Sequence, residues 1–225
     1  AVASDPSNPV EGQVWYNSTS RVLKGQATTT AGAWATGGAL NTGIEKSGGA
    51  GTQTSALSFG GKLPPTTNGT ESYNGTSWTE VANLNLARNA LGGARGSLGD
   101  AGISTAALGF GGEPALATTE LWNGTNWTEV NDLNTGRYGM GGAGTYTSAL
   151  AFGGGYPQKN ETELWNGTNW TEVNNLNEAR YALGGAGTSN TSALAFGGQP
   201  GVGPSSVNTE VWNGTNWTEV NNLNL

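Results

Sequence analysis

The chain has 225 residues with 39 Gly, 9 Trp, no Cys and no His, a net charge of −7, and charged side chains at only 11% of positions. Lacking Cys and His, it offers no disulfide, thiol nucleophile, Ser/His/Asp triad or His-bearing metal site. The acidic balance speaks against nucleic acid or an anionic membrane surface as partner, and no apolar run reaches the ~18 residues of a membrane span.

The opening residues Ala1 to Pro6 carry no charged-then-apolar signal peptide and read as the interior of a longer polypeptide or a processed end. Gly12–Asn17 predicts a strand, with Arg21–Lys24 as a further hairpin arm. Gly32–Asn41, containing Trp34, fits the last strand of a unit that then recurs in full.

Leu121–Val130 reads Leu-Trp-Asn-Gly-Thr-Asn-Trp-Thr-Glu-Val, and Leu164–Val173 repeats it letter for letter. Near-copies lie at Ser72–Val81 and Val211–Val220. A period of about 45 residues marks an array of one supersecondary unit. Four complete units follow, at about 46–85, 88–134, 137–177 and 180–224. Each predicts four short strands, a to d. A Gly-Gly segment opens strand a, and an apolar run such as Thr191–Gly198 ends strand b in a second glycine doublet. A variable loop leads to Thr-Glu-Leu/Val-Trp in strand c, and Trp-Thr-Glu-Val forms strand d.

Asn-Gly between c and d (Asn74, Asn123, Asn166 and Asn213 with their glycines) predicts a hairpin turn, type I′ or a longer four-residue or bulged loop. The doublets Gly60-Gly61, Gly111-Gly112, Gly153-Gly154 and Gly197-Gly198 suit close backbone approach or positive φ. Extra residues fall in loops, at about Arg95–Ala101 and Pro200–Pro204, which makes the loop-bearing faces the expected place of function.

The Trp at the head of each strand d (Trp34, Trp78, Trp127, Trp170, Trp217) reads as a structural wedge between sheets. The strand-c aromatics, Tyr73, Trp122, Trp165 and Trp212, read as core or as exposed platforms for sugar rings. Glu120/Glu129, Glu163/Glu172 and Glu210/Glu219 recur as pairs. Identical pairs in every unit do not build one asymmetric acid/base centre, so they read as solvated cross-strand pairs or as acceptors for loop amides. Arg88, Arg137 and Arg180 share one position, followed by Tyr138 and Tyr181 in the last two units. The arginines brace the turn from d to a, or with the tyrosines hold an anionic or sugar ligand.

These marks resemble the kelch repeat: Arg opening strand a, Phe-Gly-Gly closing strand b, an aromatic late in c and Trp early in d. The likeness covers about Gly32 to Leu225. It implies an all-β propeller of four-stranded blades around an axis, with partner-binding loops on one face. The expectation is four complete blades and an N-terminal half-blade, forming a ring or part of a larger one. Ile44 stands where the other units have Arg and interrupts any ring of arginines. The copper chemistry of some kelch enzymes is excluded by the missing His and Cys.

The segment Asp5 to Lys24 resembles the Gly-Gln-x-Trp-Tyr-Asn hairpin of tailed-phage fibre proteins, and the repeats resemble those of marine-phage virion proteins. The resulting domain reading is 1–31 as an adaptor hairpin and linker and 32–225 as propeller. The function expected is that of a non-enzymatic virion or extracellular appendage (tail fibre, adhesin or capsid decoration) without cofactor or metal. Its partners would be other virion proteins and a host surface glycan or protein, with homo-oligomer formation open. The alternative is a cellular or bacterial-surface interaction scaffold or lectin.

Overall fold

The computed structural model describes residues 4, 14–25, 37–89 and 99–224; Trp34 lies outside them. Internal contacts divide the chain into two compact units, Ala1–Thr36 and Gly37–Leu225. In the first, β1 (Val14–Asn17) and β2 (Val22–Gly25) pair antiparallel with Val14 opposite Gly25. The Asn17 side-chain oxygen accepts the amides of Thr19 and Ser20 at 3.0 and 2.9 Å, closing the hairpin with an Asx turn.

The second unit is all-β, with no helix among the described residues, and its four antiparallel sheets are arranged as a four-bladed β-propeller. Blade 1 comprises β3 (Gly48–Thr52), β4 (Ser55–Phe59), β5 (Thr70–Tyr73) and β6 (Trp78–Glu80). Blade 2 comprises β7 (Gly99–Ile103), β8 (Ala106–Phe110), β9 (Thr119–Trp122) and β10 (Trp127–Val130). Blade 3 comprises β11 (Gly141–Thr145), β12 (Ser148–Phe152), β13 (Thr162–Trp165) and β14 (Trp170–Val173). In blade 4, β15 (Arg180–Tyr181) precedes β16 (Gly184–Ser189) and β17 (Ser192–Phe196). After these come β18 (Gln199–Pro200), which pairs with β15, then β19 (Thr209–Trp212) and β20 (Trp217–Val220).

Strand order within each blade follows the chain, so each sheet is a meander from the inner strand a to the outer strand d. The inner strands β3, β7, β11 and β16 pack on one another in succession. Their glycine content follows from this closeness. A Cβ on Gly185 would strike the Gly142 carbonyl of the next inner strand and come within 2.9 Å of the Phe152 ring. Strand b is the most apolar: in β12, Ala149, Leu150, Ala151 and Phe152 are all fully buried, because both faces of the sheet are covered.

The turn from c to d is a four-residue loop. Trp165 pairs with Trp170, and the Asn166 side-chain oxygen accepts the amides of Thr168 and Asn169, each at 2.9 Å. Only the glycine of the Asn-Gly pair has positive φ (94° at Gly167), whereas type I′ requires it at both central residues. The side-chain acceptor of Asn, rather than its tolerance of positive φ, selects it here. At the strand-b doublets positive φ does occur, as at Gly153 (66°) and Gly154 (92°).

Candidate functional site

Each joint between blades uses the same set of groups, and these account for most of the recurring residues. At the joint of blades 2 and 3, Trp170 packs edge-on against Phe110 with centroids 4.9 Å apart. Its indole N–H donates to the Thr119 hydroxyl at 3.1 Å. Trp127 on Phe59 with Thr70, and Trp217 on Phe152 with Thr162, repeat the arrangement. At these three positions the strand-d tryptophan packs on the strand-b phenylalanine of the preceding blade. Trp78 is half-buried, sits against Tyr73 of its own blade, and donates to the Gly38 carbonyl instead. The strand-c tryptophans are core rather than platforms. Trp122, Trp165 and Trp212 are each about 2% exposed or less, and each donates its N–H to a carbonyl in its own a–b turn, that of Ser104, Tyr146 or Asn190.

The glutamate pairs are in register across c and d, Glu163 opposite Glu172 for example, but the two members differ in environment. The strand-c member is buried and acts as a latch. Glu163 accepts the backbone and side-chain N–H groups of Asn134 at 2.7 and 2.9 Å, from the linker that enters its blade. Asn85 on Glu120, Asn177 on Glu210 and Asn41 on Glu71 do the same.

The second oxygen of that carboxylate faces an arginine three residues past the Asn. Arg137 Nη2 lies 2.9 Å from Glu163 Oε1, and its Nη1 donates to the carbonyls of Gly153 and Glu161 at 3.0 and 2.7 Å. Arg180 meets Glu210 at 2.9 Å and the carbonyls of Gly197 and Asn208. Arg88 meets Glu120 at 3.2 Å and the carbonyls of Thr118, Gly109 and Gly111. All three arginines are fully buried. Burial pulls the guanidinium groups of Arg88 and Arg137 down from the usual arginine range, and Glu120 and Glu163 oppose it. Their Nη donors point into carbonyls and a carboxylate of their own blade, which is the bracing geometry, while the Nε of Arg88 and of Arg180 has no hydrogen-bond partner.

Tyr138 and Tyr181, the residues after Arg137 and Arg180, emerge half-buried on the rim formed by the d–a linkers and b–c loops. The backbone ties them down: the Gly155 amide donates to the Tyr138 carbonyl at 2.7 Å, and Tyr181 pairs with Gln199. Tyr156, in the b–c loop of blade 3, is 75% exposed. Burial, then the charge of Glu113 and the phenols of Tyr181 and Tyr156, hold the Tyr138 phenol above its usual pKa. Backbone hydrogen bonds bring the segments of Tyr156, Glu113 and Tyr181 to that of Tyr138: the Gly155 amide donates to the Tyr138 carbonyl, that of Gly112 to the Arg137 carbonyl and that of Ala182 to the Gly139 carbonyl. Tyr138 and Tyr181 were candidates from the sequence; Tyr156 and Glu113 were not, because their loops differ in every blade.

The chain matches no family model and no curated protein.

At blade 1 the arginine position holds Ile44, and a cavity of about 180 Å³ opens there. Its lining includes Ile44, Ser58, Gly69, Glu71 and Glu80. Sequence reasoning saw the missing arginine without the space it leaves, because that space is bounded by Ser58 and Glu71 from two other strands.

Proposed function

We propose that this chain is a non-catalytic recognition module of a virion appendage, a tail fibre, adhesin or capsid-decorating protein working outside the cell. It binds a host surface glycan or protein through the rim that carries Tyr138, Tyr156 and Tyr181. The observation behind this reading is a division of labour. Residues that recur from blade to blade (the Trp, Glu and Asn of the joints, with the Arg of blades 2 to 4) are consumed in packing, so recognition falls to the side chains that differ between blades. Rigid aromatic side chains with a polar tip suit that task, giving large contact area at small conformational cost.

The virion setting is supported by the resemblance of Asp5–Lys24 to a phage-fibre hairpin and of the blades to the kelch repeats of such proteins. The N-terminal segment would then join the propeller to other virion proteins, and several copies would act together.

A glycan array probed with the 225-residue chain and with its Tyr138→Ala/Tyr181→Ala variant tests the rim. Binding that drops in the variant supports it, and equal binding by both removes the rim from the reading. Negative-stain imaging of virions with an antibody to the chain tests the setting. Label on cell surfaces alone would favour the cellular or bacterial scaffold.

A further inference from the structure

We infer that the cavity of blade 1 is a binding site for a guanidinium group, supplied by a small molecule or by an arginine side chain of a partner. The inference is independent of the tyrosine rim.

The chain itself shows what the cavity fits. Asn41-Thr42-Gly43-Ile44 aligns with Asn134-Thr135-Gly136-Arg137, and the two linkers make the same latch. Glu71 Oε2 accepts both N–H groups of Asn41 at 2.8 Å, and its Oε1 accepts the Thr42 amide at 3.1 Å. Glu163 is held identically by Asn134 and Thr135. The difference is that Glu163 Oε1 also receives Arg137, whereas Glu71 Oε1 receives only the Thr42 amide and Glu71 lines the cavity together with Ile44.

The remaining acceptors of the arginine cradle are present too. Arg137 donates to the carbonyls of Gly153 and Glu161, and the Gly153 amide in turn bonds to Glu161. In blade 1 the corresponding amide bond runs from Gly60 to Gly69, so the equivalent carbonyls are those of Gly60 and Gly69, the latter in the cavity lining.

A second observation points to a ligand. Ser58 lines the cavity, is only 8% exposed, and its hydroxyl has no hydrogen-bond partner. Ala151 and Ala195 occupy that position in blades 3 and 4, where the arginine fills the space. A buried hydroxyl without a partner is costly, and a donor reaching Glu71 Oε1 would lie beside it. The volume far exceeds the ~15 Å³ that one water needs. A planar fork of N–H donors matches a carboxylate flanked by carbonyls better than a compact ammonium does.

Calorimetric titration of the full chain with methylguanidinium and with acetyl-Gly-Arg-Gly-amide tests the site. One saturable site per chain at millimolar or lower concentration is expected, with methylammonium weaker. Ile44→Arg fills the cavity as blades 2 to 4 do and should abolish binding while the chain folds. Ser58→Leu, which fills it with apolar volume, should do the same and serves if Ile44→Arg does not fold. Glu71→Gln should weaken binding at least about tenfold, as expected when a charge-assisted hydrogen bond is lost. Peptide binding much tighter than methylguanidinium assigns the source to a protein partner, and equal binding assigns it to a small molecule. Failure of both probes to bind the wild type, or undiminished binding by the filled variants, overturns the inference.

Discussion

Blades 1 and 3 share one plan and differ in how completely they fill it. In blade 3 the carboxylate of Glu163 is closed on both sides, by Asn134 and by Arg137, and is 1% exposed. In blade 1 Glu71 keeps the Asn latch, loses the arginine, and is 6% exposed. The wedge differs in the same direction: Trp170 is 5% exposed on Phe110, whereas half-buried Trp78 has Tyr73 as its ring partner. The contrast shows that the latch and the brace are separable. Asn to Glu fastens the entering linker, and arginine then neutralises a carboxylate that has become fully buried.

The largest effect expected from that contrast comes from breaking the brace. Arg137→Ala leaves Glu163 buried without its cation and should destabilise the chain by about 3–5 kcal/mol. Glu71→Gln orphans no buried arginine but leaves at least one N–H of Asn41 or Thr42 without its acceptor, and should cost less, about 1–3 kcal/mol. Equal losses in urea melts would show that Glu71 is already balanced by a cation, and the contrast would fail. Next comes the wedge. Trp170→Ala removes a ring packed on Phe110 and bonded to Thr119, at about 3–5 kcal/mol. Trp78→Ala should cost less than half as much, measured in the same melts.

How far the sequence carried depends on the range of each interaction. The c–d hairpin was legible because its determinants lie within ten residues, Trp165 to Trp170 with Asn166 between. The four-residue loop was one of its two readings there; what the sequence did not show is that Asn acts through its side-chain oxygen. The wedge tryptophans were legible through their period. The role of the glutamates was half legible: hydrogen bonds to loop amides were among the readings, but the partner Asn134 comes from a linker 29 residues away. The arginine alternatives could not be separated by sequence, because a side chain that follows the linker points either to the rim or inward, and the register of Glu163 decides it. The tyrosine cluster joins Tyr138, Tyr156 and Tyr181 from two blades, with no periodic signal to announce Tyr156.

Two smaller predictions sharpen the comparison. Gly185→Ala brings a methyl group against the Gly142 carbonyl and the Phe152 ring where two inner strands meet. Both neighbours are backbone or fully packed, so the strands must part, at about 1–3 kcal/mol. A thermal melt unchanged by the substitution would mean the inner strands lie further apart than described.

The smallest effect concerns Tyr138, for which blade 1 has Glu45 as its counterpart. Its phenol pKa is raised in the folded chain, first by burial and then by Glu113 and the neighbouring phenols. The folded state therefore keeps this proton at a pH where the unfolded chain has released it. That contribution to stability is complete below the ordinary tyrosine pKa of about 10, and is lost as the pH rises from there through the raised value. Absorbance titration should show one tyrosine ionising later than the rest, absent in Tyr138→Phe and moved back toward the others in Glu113→Gln. A late tyrosine that survives Tyr138→Phe would place the perturbed phenol elsewhere and separate Tyr138 from the cluster. A shift lost in Tyr138→Phe but unmoved by Glu113→Gln would leave burial and the two neighbouring phenols as its cause. Blade 3 would then differ from blade 1 on the rim by aromatic contact alone.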